Sequence, residues 1–147
     1  IRDSLYHVGR LDIDTSGLLL LTNDGELANR LTHPSYEIPK TYVARVHGEV
    51  KPGVRRRLME GIELEDGPIA VDSFRTMETY GDITTVEIVV HEGRNRLVRR
   101  LMDEVGYPVR ELVRTKFGPI RLDHLQPGTM RRVKGPQLAA LYDVVGL

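Results

Sequence analysis

Asp12 and Asp14 stand two residues apart in the stretch GRLDIDTSGLLLLTND, residues 9–24, just ahead of four consecutive leucines. A carboxylate in such a place can serve as nucleophile or as base toward a bound substrate. Asp14, followed by Thr15-Ser16-Gly17, has turn chemistry, with side chains suited to bonding nearby amides. Asp12 lies between apolar Leu11 and Ile13 and so reads as an acid at the edge of a core, where it needs a cationic or hydrogen-bonding partner. A second candidate pair is Lys40 and Tyr42, which share one face if KTYV is a strand. The third is the arginine-rich EGRNRLVRR, residues 92–100. On a helix, Arg99 and Arg100 flank the stripe of Leu97, Val98, Leu101, Met102 and Val105, and Arg96 lies nearly opposite its centre. A flanking arginine can rest its stem on the core and turn its guanidinium into a cleft. Periodicity leaves Arg99 and Arg100 as equal candidates.

These residues need elements to hold them. The apolar run predicts a buried strand over Leu18–Thr22, and Asn23-Asp24-Gly25 predicts a turn or cap opening a helix over Glu26–Thr32. Thr41–His47 reads as a strand, Val54–Glu60 as a helix closed by Gly61, and Ile62–Thr79 as extended chain with a turn at Asp66-Gly67-Pro68. A hairpin turn near Gly81 leads into a β-branched run, Thr84–His91. Arg94–Val105 is the most regular amphipathic helix. Val109–Phe117 and Met130–Val133 read as strands and Gln137–Val145 as a final helix. Strands and helices mix without a βαβ rhythm, so the fold class is α+β.

The 147 residues suffice for one domain with its own core, and 40% hydrophobic with 29% charged residues excludes a disordered chain. With no cysteine there is no disulfide scaffold and no thiolate zinc site. The longest apolar run is too short for a bilayer, and no signal peptide precedes it, which leads to the expectation of a cytoplasmic protein. The chain begins at Ile1, which suggests a fragment. Net charge is zero, yet residues 93–134 carry 11 Lys/Arg against 4 Asp/Glu, so a basic face for a polyanion is expected. The five histidines are scattered without metal-ligand spacing, and no phosphate loop or nucleophile elbow is present.

Taken together and in order, GRLDIDTSGLLLLTNDGELANRLTHP, PKTYVARVHG, HEGRNRLVRRL and LVRTKFGPIRLDHLQPGTMRRV resemble the motifs of the RsuA/RluB-type ribosomal RNA pseudouridine synthases. The resemblance covers nearly the whole chain. It implies a mixed, mostly antiparallel sheet flanked by helices with a central catalytic cleft. It implies isomerisation of a uridine in ribosomal RNA, in the large subunit by the closer likeness to the RluB-like branch, with no cofactor, no metal and a monomeric enzyme. By position, Asp12 corresponds to the family's catalytic aspartate, Tyr42 to its active-site tyrosine, Arg99 to the basic residue pairing with the aspartate, and Val98 to the aliphatic residue beside it. Arg10, Lys40, Arg94, Asn95 and Arg96 are then the candidates for contacting substrate and its phosphates. Leu97 stands where the family usually has glutamine. The family's small N-terminal S4-like RNA-binding domain is not in this sequence, so residues 1–147 are expected to be the catalytic domain.

Two other functions fit parts of the sequence. The acids at 12 and 14 followed by Thr15 approximate the D-x-D-x-T signature of aspartate-nucleophile phosphatases. Those enzymes need an apolar strand leading into the first acid, whereas here the apolar run follows it. A non-catalytic RNA-binding module on the same scaffold would share the charge asymmetry but has no need of Asp12, Tyr42 and Arg99 together.

Overall fold

Strict alternation along β4, Lys40–His47, sets the plan of the molecule. Lys40, Tyr42, Ala44 and Val46 lie on one face, and Ala44 and Val46 are completely buried. The computed structural model describes residues 4–147. Among these, β4 is the centre of a six-stranded sheet ordered β10-β9-β4-β8-β7. Its members are β7 (Ser73–Tyr80), β8 (Ile83–Val90), β9 (Val109–Phe117), β10 (Ile120–Arg121) and the two-residue β2 (Ser16–Gly17), which pairs parallel to β9. All other pairings in this sheet are antiparallel. β1 (Tyr6–Val8) pairs with β3 (Leu20–Thr22), and β5 (Ile62–Leu64) with β6 (Gly67–Ile69). Mixed strands with helices α1 (Gly25–Thr32), α2 (Gly53–Glu60), α3 (Leu97–Glu104) and α4 (Pro136–Asp143) make an α+β fold, as the sequence predicts.

Two apolar clusters cover the inner side of the sheet. The larger joins Ala44, Val46, Val86, Ile88 and Phe74 to α2, α3 and the β5–β6 hairpin. The smaller joins Phe117 and Ile120 to α1, β1, β3 and Leu141 of α4. The outer side carries half-exposed residues and cross-strand ion pairs, among them Arg45–Glu111 at 3.4 Å and Arg75–Glu87 at 2.9 Å.

A register shift shapes the region between the clusters. Lys40 faces Phe117 and Thr41 faces Lys116, but Tyr42 faces Arg114, so Thr115 is an extra residue on β9. A bulge of this kind re-aims the side chains on either side of it. Simple alternation would put Arg114 and Phe117 on opposite faces. The bulge brings both to the face of Lys40 and Tyr42.

Several expected boundaries move. The strand predicted over Leu18–Thr22 begins at Leu20, and it is one-sided: Leu18 and Leu20 are buried while Leu21 is exposed. Helix α3 begins at Leu97 rather than Arg94, because Arg96 adopts a left-handed backbone (φ 54°) that no helix can propagate. Met130–Val133 forms no strand; the segment crosses the surface as coil, with Met130 exposed.

Candidate active site

A cleft of about 640 Å³ opens where the two apolar clusters meet. Its floor comes from the bulged register: Lys40 and Tyr42 of β4 beside Leu112, Arg114 and Phe117 of β9. One wall is the loop carrying Gly9, Arg10, Leu11, Asp12 and Ile13. The other is the segment from Glu92 to Val98 that enters α3. The three segments that the sequence singles out therefore converge on one cavity, of a size typical for a small ligand or a single nucleotide unit.

Asp12 is half-buried on the cleft wall. Its carbonyl accepts a hydrogen bond from the Thr15 amide at 2.9 Å, which closes a tight turn over residues 12–15. Its carboxylate makes no ion pair or side-chain hydrogen bond among the described residues. The acid is not flanked on both sides by core, because Ile13 is fully exposed.

The expected pairing of Arg99 with Asp12 is not formed. Arg99 reaches Asp14 instead: Nε lies 3.3 Å from the carboxylate and Nη2 donates to the Asp14 carbonyl at 2.6 Å. Its Nη1 donates to the Val109 carbonyl at 3.3 Å. Arg96 donates to the same carboxylate at 3.0 Å. The 12–15 turn is the cause, for it swings Asp14 toward α3 and leaves Asp12 toward the cleft. Burial pushes the Asp14 carboxyl up, but the Arg96 hydrogen bond and the charges of Arg99 and Arg96 outweigh it and hold the group below the ordinary carboxylate range. Asp14 is thus the charged anchor of the loop and not a plain turn residue.

The remaining candidates divide by their partners. Tyr42 is half-buried on the floor, directly across the sheet from Arg114, with its ring against the larger cluster. Val98 is buried in the wall. Arg10 and Asn95 are exposed at the rim. Arg94 lines the cleft but is already committed: it donates to Glu92 at 2.7 Å, to the Gly67 carbonyl at 2.9 Å and to the Pro68 carbonyl at 2.8 Å. It ties the wall to the β5–β6 hairpin, so it is not free to hold a phosphate. Arg100 grips Asp66 on that hairpin through two bonds, 2.9 and 3.1 Å. Burial and then the neighbouring Arg114 charge push the Lys40 ammonium below its usual range.

Leu112, Arg114 and Phe117 belong to the site and are not singled out by sequence reasoning. The signal in LVRTKFG is a charged residue two positions from a buried leucine, which puts Arg114 on the same face. Arg114 is only 3% exposed. Its Nε donates to the Leu18 carbonyl at 2.9 Å, and its own carbonyl accepts from the Leu18 amide at 2.8 Å. Gly17 permits this contact, since a Cβ there would collide with the Arg114 backbone. The far end of the aspartate loop is therefore fastened to β9 at Arg114.

Among the described residues no cluster of His, Asp and Glu is placed to hold a metal ion, and no helix is long and apolar enough to cross a membrane. A family model described as RNA pseudouridylate synthase matches residues 2–104. An uncharacterized RNA pseudouridine synthase of Mycobacterium tuberculosis is 53% identical over 143 residues, 97% of this chain and 56% of that protein. Ribosomal large subunit pseudouridine synthase B of Bacillus subtilis is 44% identical over 135 residues, 90% of this chain and 55% of that protein. A crystal structure of a pseudouridylate synthase superimposes with a TM-score of 0.81 at 33% identity, over 96% of this chain and 60% of the other. The chain spans a little over half the length of these relatives.

Proposed function

From the premise that this chain belongs to the RNA pseudouridylate synthase family, we propose that it isomerises a specific uridine of ribosomal RNA, in the large subunit, to pseudouridine. The observation that carries this reading is the convergence of Asp12 and Tyr42 on one cleft, with the Asp12 carboxylate unclaimed by any cation among the described residues. Isomerisation breaks the C–N glycosidic bond and joins C5 of the same base to the ribose, releasing the C5 proton. Nothing is oxidised, so no cofactor is called for. Asp12 is the carboxylate offered to the substrate. Tyr42 stacks on the base and stands where a proton can be moved. The target uridine leaves its stack to enter, at a cost of a few kcal/mol. Arg99 serves as a positioning residue, acting through Asp14 to fix the loop that bears Asp12. Arg10 lies at the mouth, where backbone phosphates pass, while Arg96 there is held by Asp14. The partner is ribosomal RNA, met by a monomer in the cytoplasm, and residues 1–147 are the catalytic unit.

The alternatives fare less well. A phosphatase of the D-x-D-x-T type finds no support in the fold, because β1 ends at Val8, short of Asp12, and belongs to a separate two-stranded sheet with β3 rather than running into the acid as a buried central strand. A mere binding module leaves the unclaimed carboxylate unexplained. Release of tritium from ribosomal RNA labelled at uridine C5 tests the proposal, with the modified position then mapped in the RNA. Absence of release from both subunits' RNA would overturn it.

A further inference from the structure

Arg114 is a buried cation with unused donors. Among the described residues only its Nε has an acceptor, the Leu18 carbonyl, and Nη2 is sealed from bulk water with no partner at all. Leaving a buried donor unpaired is costly, and more so when the group is charged. A second cation lies against the Phe117 ring. The Lys40 ammonium is 5.5 Å from the ring centroid and the Arg114 guanidinium 5.1 Å from it. Among the described residues no carboxylate pairs with either. Of the acids lining the cleft, Glu92 is engaged by Arg94, and Asp12 pairs with no cation among the described residues. The fold has thus brought two positive groups to one floor, through the Thr115 bulge, without supplying an anion. Asp14 shows what this molecule does when only structure is at stake: its charge is met by two arginines.

We propose that Lys40 and Arg114, both lying against Phe117, form an anion subsite at the floor of the cleft that takes a backbone phosphate of the RNA strand at the flipped nucleotide. The inference rests on the reading of the cleft as an RNA site. An ammonium and a guanidinium fork are the two side chains best suited to phosphate oxygens, one as a point charge and the other through paired N–H groups. An incoming phosphate would supply both cations with the counter-charge they lack. It would also couple the substrate to the aspartate loop, because the guanidinium that grips the phosphate is the one whose Nε holds Leu18.

The probes are uridine 5′-monophosphate, uridine 3′-monophosphate, uridine and inorganic phosphate, each titrated into the ¹⁵N-labelled protein with the Arg114 Nε–Hε resonance followed. One of the two monophosphates is expected to bind about tenfold or more tighter than uridine, the worth of one charge-assisted hydrogen bond, and to shift that resonance. Inorganic phosphate should shift it more weakly, and uridine should not shift it. Lys40→Met and Arg114→Met should each remove the preference for the monophosphate. Lys40→Met leaves the bond to Leu18 in place, so it keeps the test open if Arg114→Met fails to fold. Equal affinity for uridine and both monophosphates would overturn the subsite, as would a preference that survives in folded Lys40→Met. Inorganic phosphate binding as tightly as the nucleotides would assign the pocket to a free anion and overturn the RNA reading. Tritium release is scored separately. A protein that prefers the monophosphate yet releases no tritium keeps the subsite and loses the proposed reaction. One that releases tritium without the preference keeps the reaction and loses the subsite.

Discussion

Asp12 and Asp14 are two residues apart and have opposite surroundings, which separates their roles. Asp14 is held by Arg96 and Arg99, whereas Asp12 faces the cleft without a cation among the described residues. Asp12→Asn is therefore expected to abolish tritium release while leaving the unfolding midpoint within error of the parent; near-normal release would remove Asp12 from the chemistry. Asp14→Asn and Arg99→Ala should instead each lower activity and stability, and the double variant should be little worse than either single one, since they share one contact. Full additivity in a double-mutant cycle would disprove that contact. The pH dependence has a definite sign. The Asp14 carboxyl is held below its ordinary value, so its contribution to stability is complete above that value and is lost as pH falls through the lowered one. Urea unfolding at pH 6, 3 and 2 should show the gap between parent and Asp14→Asn closing only in acid. Tyr42→Phe keeps the stacking ring and loses the hydroxyl, so product formation should fall more than RNA binding.

At the scale of elements, the loop from Gly9 to Leu18 works only because it is fixed at two points, its middle to α3 through Asp14 and its far end to β9 through Gly17 and Leu18. Gly17 has φ 115° and packs against the Arg114 backbone. Gly17→Ala is expected to cost about 1–3 kcal/mol in urea or thermal unfolding and to depress tritium release further than stability alone explains. Unchanged unfolding would mean the β2–β9 contact is dispensable. This element also marks what the sequence makes legible. Val109–Phe117 is a strand at its expected bounds, because Val109, Val113, Thr115 and Phe117 recur along it and favour extended chain, and the convergence of the three motifs follows from their placement on strand, loop and helix. The bulge at Thr115 carries no sign in the residues that flank it, so the arrival of Arg114 and Phe117 on the cleft floor is invisible until pairing partners are known. The partner of Arg99 is hidden for a similar reason: a four-residue turn decides which of two nearby acids faces the helix, and composition favours neither.

For the molecule as a whole, zero net charge and a basic segment combine into a specific expectation about RNA binding. What matters for phosphates is not the number of arginines but how many are unspent. Of the cations lining the cleft, Arg94 and Arg96 are already paired with carboxylates, whereas Arg10, Lys40 and Arg114 pair with none among the described residues. Three free cations neutralise at most about three phosphates, and single-stranded RNA returns about 0.7 in the slope of log affinity against log salt for each. The slope for this chain on a ribosomal RNA hairpin should then lie near −2, and Lys40→Met should make it shallower by about 0.7. Residues 110–134 add exposed basic residues outside the cleft, among them Arg110, Arg121, Arg131 and Arg132. If they also grip RNA, the slope steepens well beyond −2 and reversing Arg131 and Arg132 to glutamate reduces it. Fluorescence anisotropy across a salt series with these variants separates the two cases. A slope near −2 that is insensitive to Arg131 and Arg132 would confine recognition by this chain to the cleft. A steep slope abolished by their reversal would instead place the main electrostatic grip on the surface that follows β10.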